Sequence, residues 1–115
     1  MIEPCKSKAN CVSSLNHEDC YHVDPLRYNR FEPAKNKLLG ALKSIKRVRI
    51  VTDHGNYIRA ECASLIFRFT DDVEVYFDDK QKLIHVKSAS RIGYSDLGVN
   101  RRRVEKIRRK YLEGG

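Results

Sequence analysis

The residues with the clearest chemical potential lie near the end of the chain, where a basic segment follows an asparagine. Arg101, Arg102 and Arg103 come directly after Asn100. If Asn100 caps a helix, these guanidinium groups occupy its first turn, where unpaired amide N–H groups and the helix dipole already create a positive potential. Each such cation costs about 0.3 to 1 kcal/mol when exposed. The sequence therefore predicts a compensating negative group near this helix.

The negative group is either a bound anion or a set of carboxylates within the chain. A phosphate, carboxylate or sulfate would be held by hydroxyl, amide and guanidinium groups at the helix N-terminus. The candidate ligand-binding residues are Ser88, Ser90, Arg91, Asp96, Asn100 and Arg101. Internal carboxylates would instead form a structural ion-pair network. Its candidate members are Asp71, Asp72, Glu74 and Arg102. A solvated basic face is the third alternative, and the sequence leaves all three open.

Catalytic interpretations lack a supporting motif. The loop from Gly93 to Gly98 has neither the lysine spacing nor the glycine pattern of nucleotide-binding loops. Asp72 and Glu74 share a strand face and could act as the acid and base of a hydrolase. Because no substrate-defining motif accompanies them, we expect no enzymatic activity and no cofactor.

A histidine offers a second catalytic arrangement. His85 could approach Ser88 or Ser90 in the fold and activate a hydroxyl. Leu83 and Lys87, its neighbours on the same strand face, supply no carboxylate to orient the imidazole. We therefore do not expect a nucleophilic serine here.

The cysteines favour a disulfide over a metal site. Cys5, Cys11 and Cys20 are accompanied by His17 and His22. Their spacings match no common zinc motif, in which paired ligands lie about two to four residues apart, so we expect no metal. A disulfide between Cys5 and Cys11 would form in an oxidising compartment and add about 2 kcal/mol of stability, whereas both thiols would stay reduced in cytosol.

The first half of the chain predicts an arm and a helix. Residues 1–33 contain all three prolines and no sustained apolar period, which indicates an irregular arm. Pro33 suits the first position of a helix over 34–46. Apolar residues at helical spacing form one face of it: Ala34, Leu38, Ala41, Leu42 and Ile45.

The second half predicts a sheet followed by a helix. Alternating apolar and polar residues over 47–88, joined by short turns, indicate four to five antiparallel strands. A loop over 89–99 then leads to a helix over 100–112, whose buried face carries Val104, Ile107 and Tyr111. The predicted fold is α+β: one domain over 1–115, with two helices packed on one face of the sheet.

Composition restricts the classes of protein and partner. The chain has 115 residues, 41% of them hydrophobic, which excludes a disordered polyelectrolyte. Its apolar runs are shorter than the ~20 residues that span a bilayer, so no transmembrane segment is expected. No apolar stretch precedes Cys5, so we expect no signal peptide and a cytoplasmic protein, or an exported or periplasmic one if Met1 is not the natural start.

Three segments resemble one family, domain of unknown function 1499. Residues 88–108 resemble its signature block, Asn-Cys-Val-Ser-Ser at 10–14 its N-terminal motif, and Phe-Thr-Asp-Asp-Val-Glu at 69–74 its central motif. A cysteine corresponding to Cys5 recurs in the family as well. The resemblance implies bacterial or plastid relatives, often preceded by an export signal or membrane anchor, and no established activity. The matching motif residues are Asp71, Asp72, Glu74, Ser88, Ser90, Arg91, Asp96, Asn100 and Arg101.

We therefore expect a small non-enzymatic accessory or binding domain. Its partner would be an anionic small molecule or an acidic protein, bound by the arginine, serine and aspartate cluster, unless that cluster only locks the last helix. The net charge of +8 also suits nucleic acid bound by the basic C-terminal helix. That alternative is less favoured, because neither a base-stacking aromatic pattern nor a helix-turn-helix pair is present. A basic helix could also lie on an anionic membrane surface.

Overall fold

Two helices and six strands make up the part of the chain that this computed structural model describes. The described residues are 2–6, 10–18, 20–63, 70–91 and 98–114. The elements are β1 (Cys11–Ser13), β2 (Leu26–Arg27), α1 (Phe31–Lys43), β3 (Val48–His54), β4 (Tyr57–Ala63), β5 (Thr70–Asp78), β6 (Leu83–Ser90) and α2 (Val99–Glu113). The α+β fold class predicted from the sequence is confirmed.

All six strands belong to one sheet in which every strand pair is antiparallel. The order is β1-β6-β5-β4-β3, and β2 pairs with β6 beyond the end of β1. The sheet has six strands instead of the predicted four to five, because β1 and β2 come from the N-terminal arm. At three and two residues, these strands are too short to show the alternating pattern by which strands are recognised in a sequence.

Alternation along the strands separates the two faces of the sheet. On β5, Asp71, Val73 and Val75 are buried, whereas Asp72 and Glu74 between them are half-buried. The buried side faces the helices, and we call the opposite side the far face. Register carries this division across the sheet, since Asp71 lies opposite Ser90 and Asp72 lies opposite Ala89.

Both helices pack into a single core on one side of the sheet. Phe77 lies in this core with its ring edge-on to those of Tyr28 and Phe31, at centroid distances of 5.5 and 5.2 Å. The helices contribute Ala34, Leu38, Ala41, Leu42, Val104, Ile107 and Tyr111. The long strands contribute Ile58, Ala60, Cys62, Val73, Val75, Phe77, Ile84 and Val86. One shared core accounts for the stability of a chain of this size.

Helix α1 lies three residues earlier than predicted. It begins at Phe31, so Pro33 is its third residue, and it ends at Lys43 instead of residue 46. The hydroxyl of Ser44 donates to the carbonyl of Ala41 at 2.7 Å and closes the last turn. Phe31 packs against Phe77. This aromatic contact explains why the helix starts before the proline.

Helix α2 begins at a glycine cap, and the predicted cap at Asn100 is wrong. Gly98 precedes the helix with φ of 82°, in the left-handed region that glycine adopts without strain. Asn100 is the second helical residue and is fully buried. The predicted loop over 89–99 is shorter as well, because Ala89 and Ser90 belong to β6 and Val99 to α2, while residues 92–97 lie outside the described residues.

A disulfide and an asparagine fix the arm beside β6. Cys5 is bonded to Cys11, the first residue of β1. The Asn16 side chain accepts a hydrogen bond from the Cys5 amide at 2.7 Å and donates one to the Cys5 carbonyl at 3.2 Å. The arm is therefore attached at both ends of β1. As far as the described residues extend, neither helix combines the length and apolar character that a bilayer crossing requires.

The disulfide gives a first prediction. Replacing Cys5 and Cys11 together by serine should lower the free energy of unfolding by about 2 kcal/mol, because the unfolded chain regains the freedom that the cross-link removes. Urea denaturation measures the loss. Cys20 has an exposed, unbonded thiol, so Cys20→Ser is the matched control and should leave the midpoint unchanged. Equal midpoints for both variants would contradict a stabilising disulfide.

Candidate functional site

Three of the predicted ligand-binding residues form a buried hydrogen-bond network beneath the start of α2. Ser88 and Ser90 lie on the helix-facing side of β6, and Asn100 is on the buried face of α2. Asn100 Oδ1 accepts from Ser88 Oγ at 2.6 Å. Asn100 Nδ2 donates to Ser90 Oγ at 3.0 Å and to the Asn10 carbonyl at 2.9 Å. These groups therefore bond to one another and to the arm.

The carboxylate of Asp71 joins this network through Arg103. Arg103 Nη1 lies 2.8 Å from Asp71 Oδ2, and the two side chains are 13% and 7% exposed. The same nitrogen donates to Asn100 Oδ1 at 2.7 Å and to Ser88 Oγ at 3.3 Å. A buried carboxylate requires such a partner, because an uncompensated charge is strongly destabilising. One of the three first-turn arginines thus has an internal counter-charge. We call Asp71, Ser88, Asn100 and Arg103 the buried lock.

The other two first-turn arginines have different surroundings. Arg101 donates to the carbonyls of His22 at 2.7 Å and Cys20 at 3.2 Å, so it joins α2 to the arm. Arg102 is exposed, and its guanidinium lies beside Gly98, where an added Cβ would come within 3.0 Å of Nη1. In these contacts Arg101 reaches the arm, whereas Arg102 lies beside the residue that precedes α2.

Arg91 lies on the far face, away from the serines with which it was grouped. Its Nε is 2.8 Å from Asp72 Oδ2, and its Nη2 donates to Glu61 Oε2 at 2.6 Å. Arg59 also donates to Asp72 at 2.9 Å, and Arg49 donates to Glu61 at 2.7 Å. We call these five residues the far-face cluster. The predicted ligand-binding residues are thus divided between the two sides of the sheet, and Asp96 lies outside the described residues.

The predicted ion-pair network is divided in the same way. Asp71 belongs to the buried lock and Asp72 to the far-face cluster. Glu74 accepts a hydrogen bond from the Tyr57 hydroxyl at 2.8 Å. Burial and this bond raise the pKa of Tyr57 to about 12. Arg102 lies beside Gly98.

The arginines of the far-face cluster lower the pKa of both its carboxylates, including Asp72 of the predicted Asp72–Glu74 acid–base pair. Hydrogen bonds from Arg49 and then Arg91 lower the pKa of Glu61 to about 2. The hydrogen bond from Arg91 is also the main cause that lowers the pKa of Asp72. A general acid near neutral pH needs a raised pKa, which is the opposite shift. The carboxylates therefore act as partners of arginines.

A serine–histidine contact exists, but with a serine that the sequence did not indicate. Ser14 Oγ lies 3.0 Å from His85 Nδ1 and accepts the Val86 amide at 2.9 Å. Burial lowers the pKa of His85, so a neutral imidazole can accept the Ser14 hydroxyl proton. The Ser14 hydroxyl thus donates one hydrogen bond and accepts another, and these bonds connect the arm to β6. No grouping of three or more metal-ligating side chains occurs in the described ranges.

The outward face of α2 carries exposed basic side chains. Arg102, Lys106 and Arg109 are exposed and lie within an arc of about 60° around the helix. We call these three residues the basic face. Within the described part of the chain, neither Lys106 nor Arg109 forms an ion pair or a side-chain hydrogen bond. Glu105, on the same side, is held by Arg108 at 3.1 Å.

Comparison with known families identifies the family of the chain. A family model described as protein of unknown function (DUF1499) matches residues 1–111. The chain belongs to the DUF1499 family. No curated protein is similar enough to be matched.

The three resembling segments of this DUF1499 protein meet at the buried lock. The N-terminal motif supplies the Asn10 carbonyl, the central motif supplies Asp71, and the signature block supplies Ser88 and Asn100. Arg103, Glu61 and Ser14 were not among the predicted site residues. Only the pairing of Glu61 could have been inferred, since β4 and β5 place it directly opposite Asp72.

The buried lock and the far-face cluster should contribute very different amounts to the free energy of unfolding. Arg103→Met should lower the free energy of unfolding by about 3 kcal/mol, because Asp71 stays buried without a cation. Arg91→Met, the matched control, removes the two ion pairs of an arginine that is 47% exposed, and should cost less than about 1 kcal/mol. Urea denaturation compares them, and Asp71→Asn added to Arg103→Met should restore part of the loss. Equal losses for the two single variants would contradict the assignment of Arg103 to the lock.

The far-face cluster makes a prediction about acid titration. Arg91→Met should raise the pKa of both Asp72 and Glu61. Arg49→Met should raise the pKa of Glu61 alone. Carbon NMR of the carboxyl groups measures the two pKa values in each variant. A lowered pKa contributes stability above the unfolded value of about 4, and this contribution is lost as pH falls towards about 2. Wild type should therefore lose more stability over that interval than Arg91→Met does. An unchanged pKa for Asp72 in Arg91→Met would disprove the pairing.

Proposed function

We propose that this DUF1499 protein is a non-enzymatic binding domain that holds an anionic partner against the basic face of α2. The observation that carries the proposal is the exposure of Lys106 and Arg109 side by side, neither of which forms an ion pair among the described residues. In this proposal the buried lock has a structural role, and the ligand lies outside it.

The internal contacts of α2 support this division of roles. Arg101 and Arg108 both bond to carbonyls of the arm: Arg101 to those of Cys20 and His22, and Arg108 to those of Asp24 and Pro25. Arg103 bonds to Asp71. These contacts fix the rotation of α2 about its axis. The exposed cations Lys106 and Arg109 therefore keep one position relative to the rest of the protein.

The far-face cluster is a poorer anion site than α2. Its three arginines share two carboxylates, and Arg91 is bonded to both of them. An incoming anion would have to displace Asp72 or Glu61 from a charge-assisted hydrogen bond. Lys106 and Arg109 would lose only water. Electrostatic attraction to an anion is therefore less opposed at α2.

Nucleic acid is the second candidate partner. Its phosphates would contact the same cations, and the net charge of +8 would assist its approach. However, α2 places its one aromatic residue, Tyr111, in the core, so it offers no exposed ring on which bases could stack. The basic face would bind a duplex only through its backbone, without sequence recognition.

Retention on immobilised heparin tests the proposal. Lys106→Gln with Arg109→Gln removes two charges from the basic face, and these variants should elute at clearly lower salt than wild type, because fewer counterions are released on binding. Lys80→Glu lowers the net charge by the same amount at an exposed position in the β5–β6 turn, and should elute close to wild type. Thermal melting confirms that both variants are folded.

The comparison of the two variants decides the outcome. Equal shifts in elution would mean that retention follows the net charge of the protein, and the proposal would then be wrong. A larger shift for Lys80→Glu would place the anion site elsewhere on the surface.

A further inference from the structure

The apolar residues beside the basic face indicate what kind of partner it has. Among the described residues, the exposed large hydrophobic side chains are Val99 and Leu112, which are 39% and 67% exposed. Both belong to α2. At about 100° per residue, they flank Lys106 and Arg109 within an arc of about 140°. The same side of the helix therefore presents cations at its centre and apolar side chains at its two edges.

An anionic lipid surface matches this combination of groups. Lipid phosphates attract lysine and arginine, and the boundary between headgroups and acyl chains accepts apolar side chains. A nucleic acid or a small anion would satisfy the cations but leave Leu112 in water. We propose that α2 lies on an anionic lipid surface, with Leu112 inserted at the headgroup boundary and Lys106 and Arg109 above the phosphates. This inference rests on the proposed function, because it names the partner of the same face.

The attachment is peripheral and reversible. The apolar side chains that would insert deeply, Val104, Ile107 and Tyr111, are buried in the core. Leu112, near the C-terminal end of α2, therefore supplies most of the apolar contact, and electrostatic attraction supplies much of the rest. Binding of this kind weakens with salt and requires anionic lipid.

Two acidic residues lie on this side of the helix: Glu105, which is paired with Arg108, and Glu113. Glu113 is exposed and forms no ion pair within the described ranges. Next to a negatively charged surface its carboxylate is repelled. Replacing Glu113 by a neutral residue should strengthen binding to lipid. The experiment therefore includes a variant with increased affinity.

Sedimentation with lipid vesicles tests the inference. Wild type should bind phosphatidylcholine vesicles that contain phosphatidylglycerol, and not pure phosphatidylcholine. Leu112→Ser should weaken binding about tenfold, and Lys106→Gln with Arg109→Gln about 25-fold. Glu113→Gln should strengthen it about fivefold, and Lys80→Glu should stay close to wild type. Leu112 is exposed, so its replacement should leave the melting temperature unchanged.

The outcomes separate this inference from the proposed function. If Leu112→Ser binds the anionic vesicles as wild type does, while loss of Lys106 and Arg109 still weakens binding, the basic face is an anion site but lipid insertion is wrong. Tighter binding to duplex DNA than to vesicles at the same salt would overturn the lipid partner in favour of nucleic acid. If the basic-face variant also matches Lys80→Glu on heparin and on vesicles, the proposed function itself fails.

Discussion

The arrangement of this protein depends on one buried ion pair, between Arg103 in the first turn of α2 and Asp71 on β5. Burying both charges is costly, and additional hydrogen bonds to the pair offset part of that cost. Ser88 and Asn100 supply those bonds, at 3.3 and 2.7 Å from Arg103 Nη1. The pair therefore requires the start of α2 to lie directly over β5 and β6, and it allows the helix little freedom to rotate.

The fixed rotation of α2 determines which cations face inward. Arg101 and Arg103 lie towards the arm and the sheet, whereas Lys106 and Arg109 are directed outward. The pleat of β5 divides the acidic residues in the same manner, so that Asp71 is buried with the helix and Asp72 lies on the far face. Side-chain direction repeats every 3.6 residues in a helix and every two residues in a strand. Charged residues that are close in sequence therefore lie on different sides of α2 or of the sheet.

Periodicity also explains how much of the fold was predictable. Both helices, the long strands and the residues of the core follow from apolar spacing, because those patterns extend over many residues. The strands of the arm do not, since two or three residues carry no period. Arg91 was grouped with Ser88 and Ser90 because they are close in sequence, although odd and even positions of one strand face opposite sides. The partner of Arg103 depends on how α2 sits on the sheet, which the sequence does not specify.

The family resemblance includes residues that hold the fold together. Its three segments converge on the lock, where hydroxyl, amide and guanidinium groups already have partners. A ligand at this position would have to break such bonds, and each buried group left unsatisfied costs about 1 to 3 kcal/mol. No comparable cost opposes binding at Lys106 and Arg109, whose charges are already in water. In the proposed function, the buried lock would contribute to binding by holding the outward face of α2 in a single orientation.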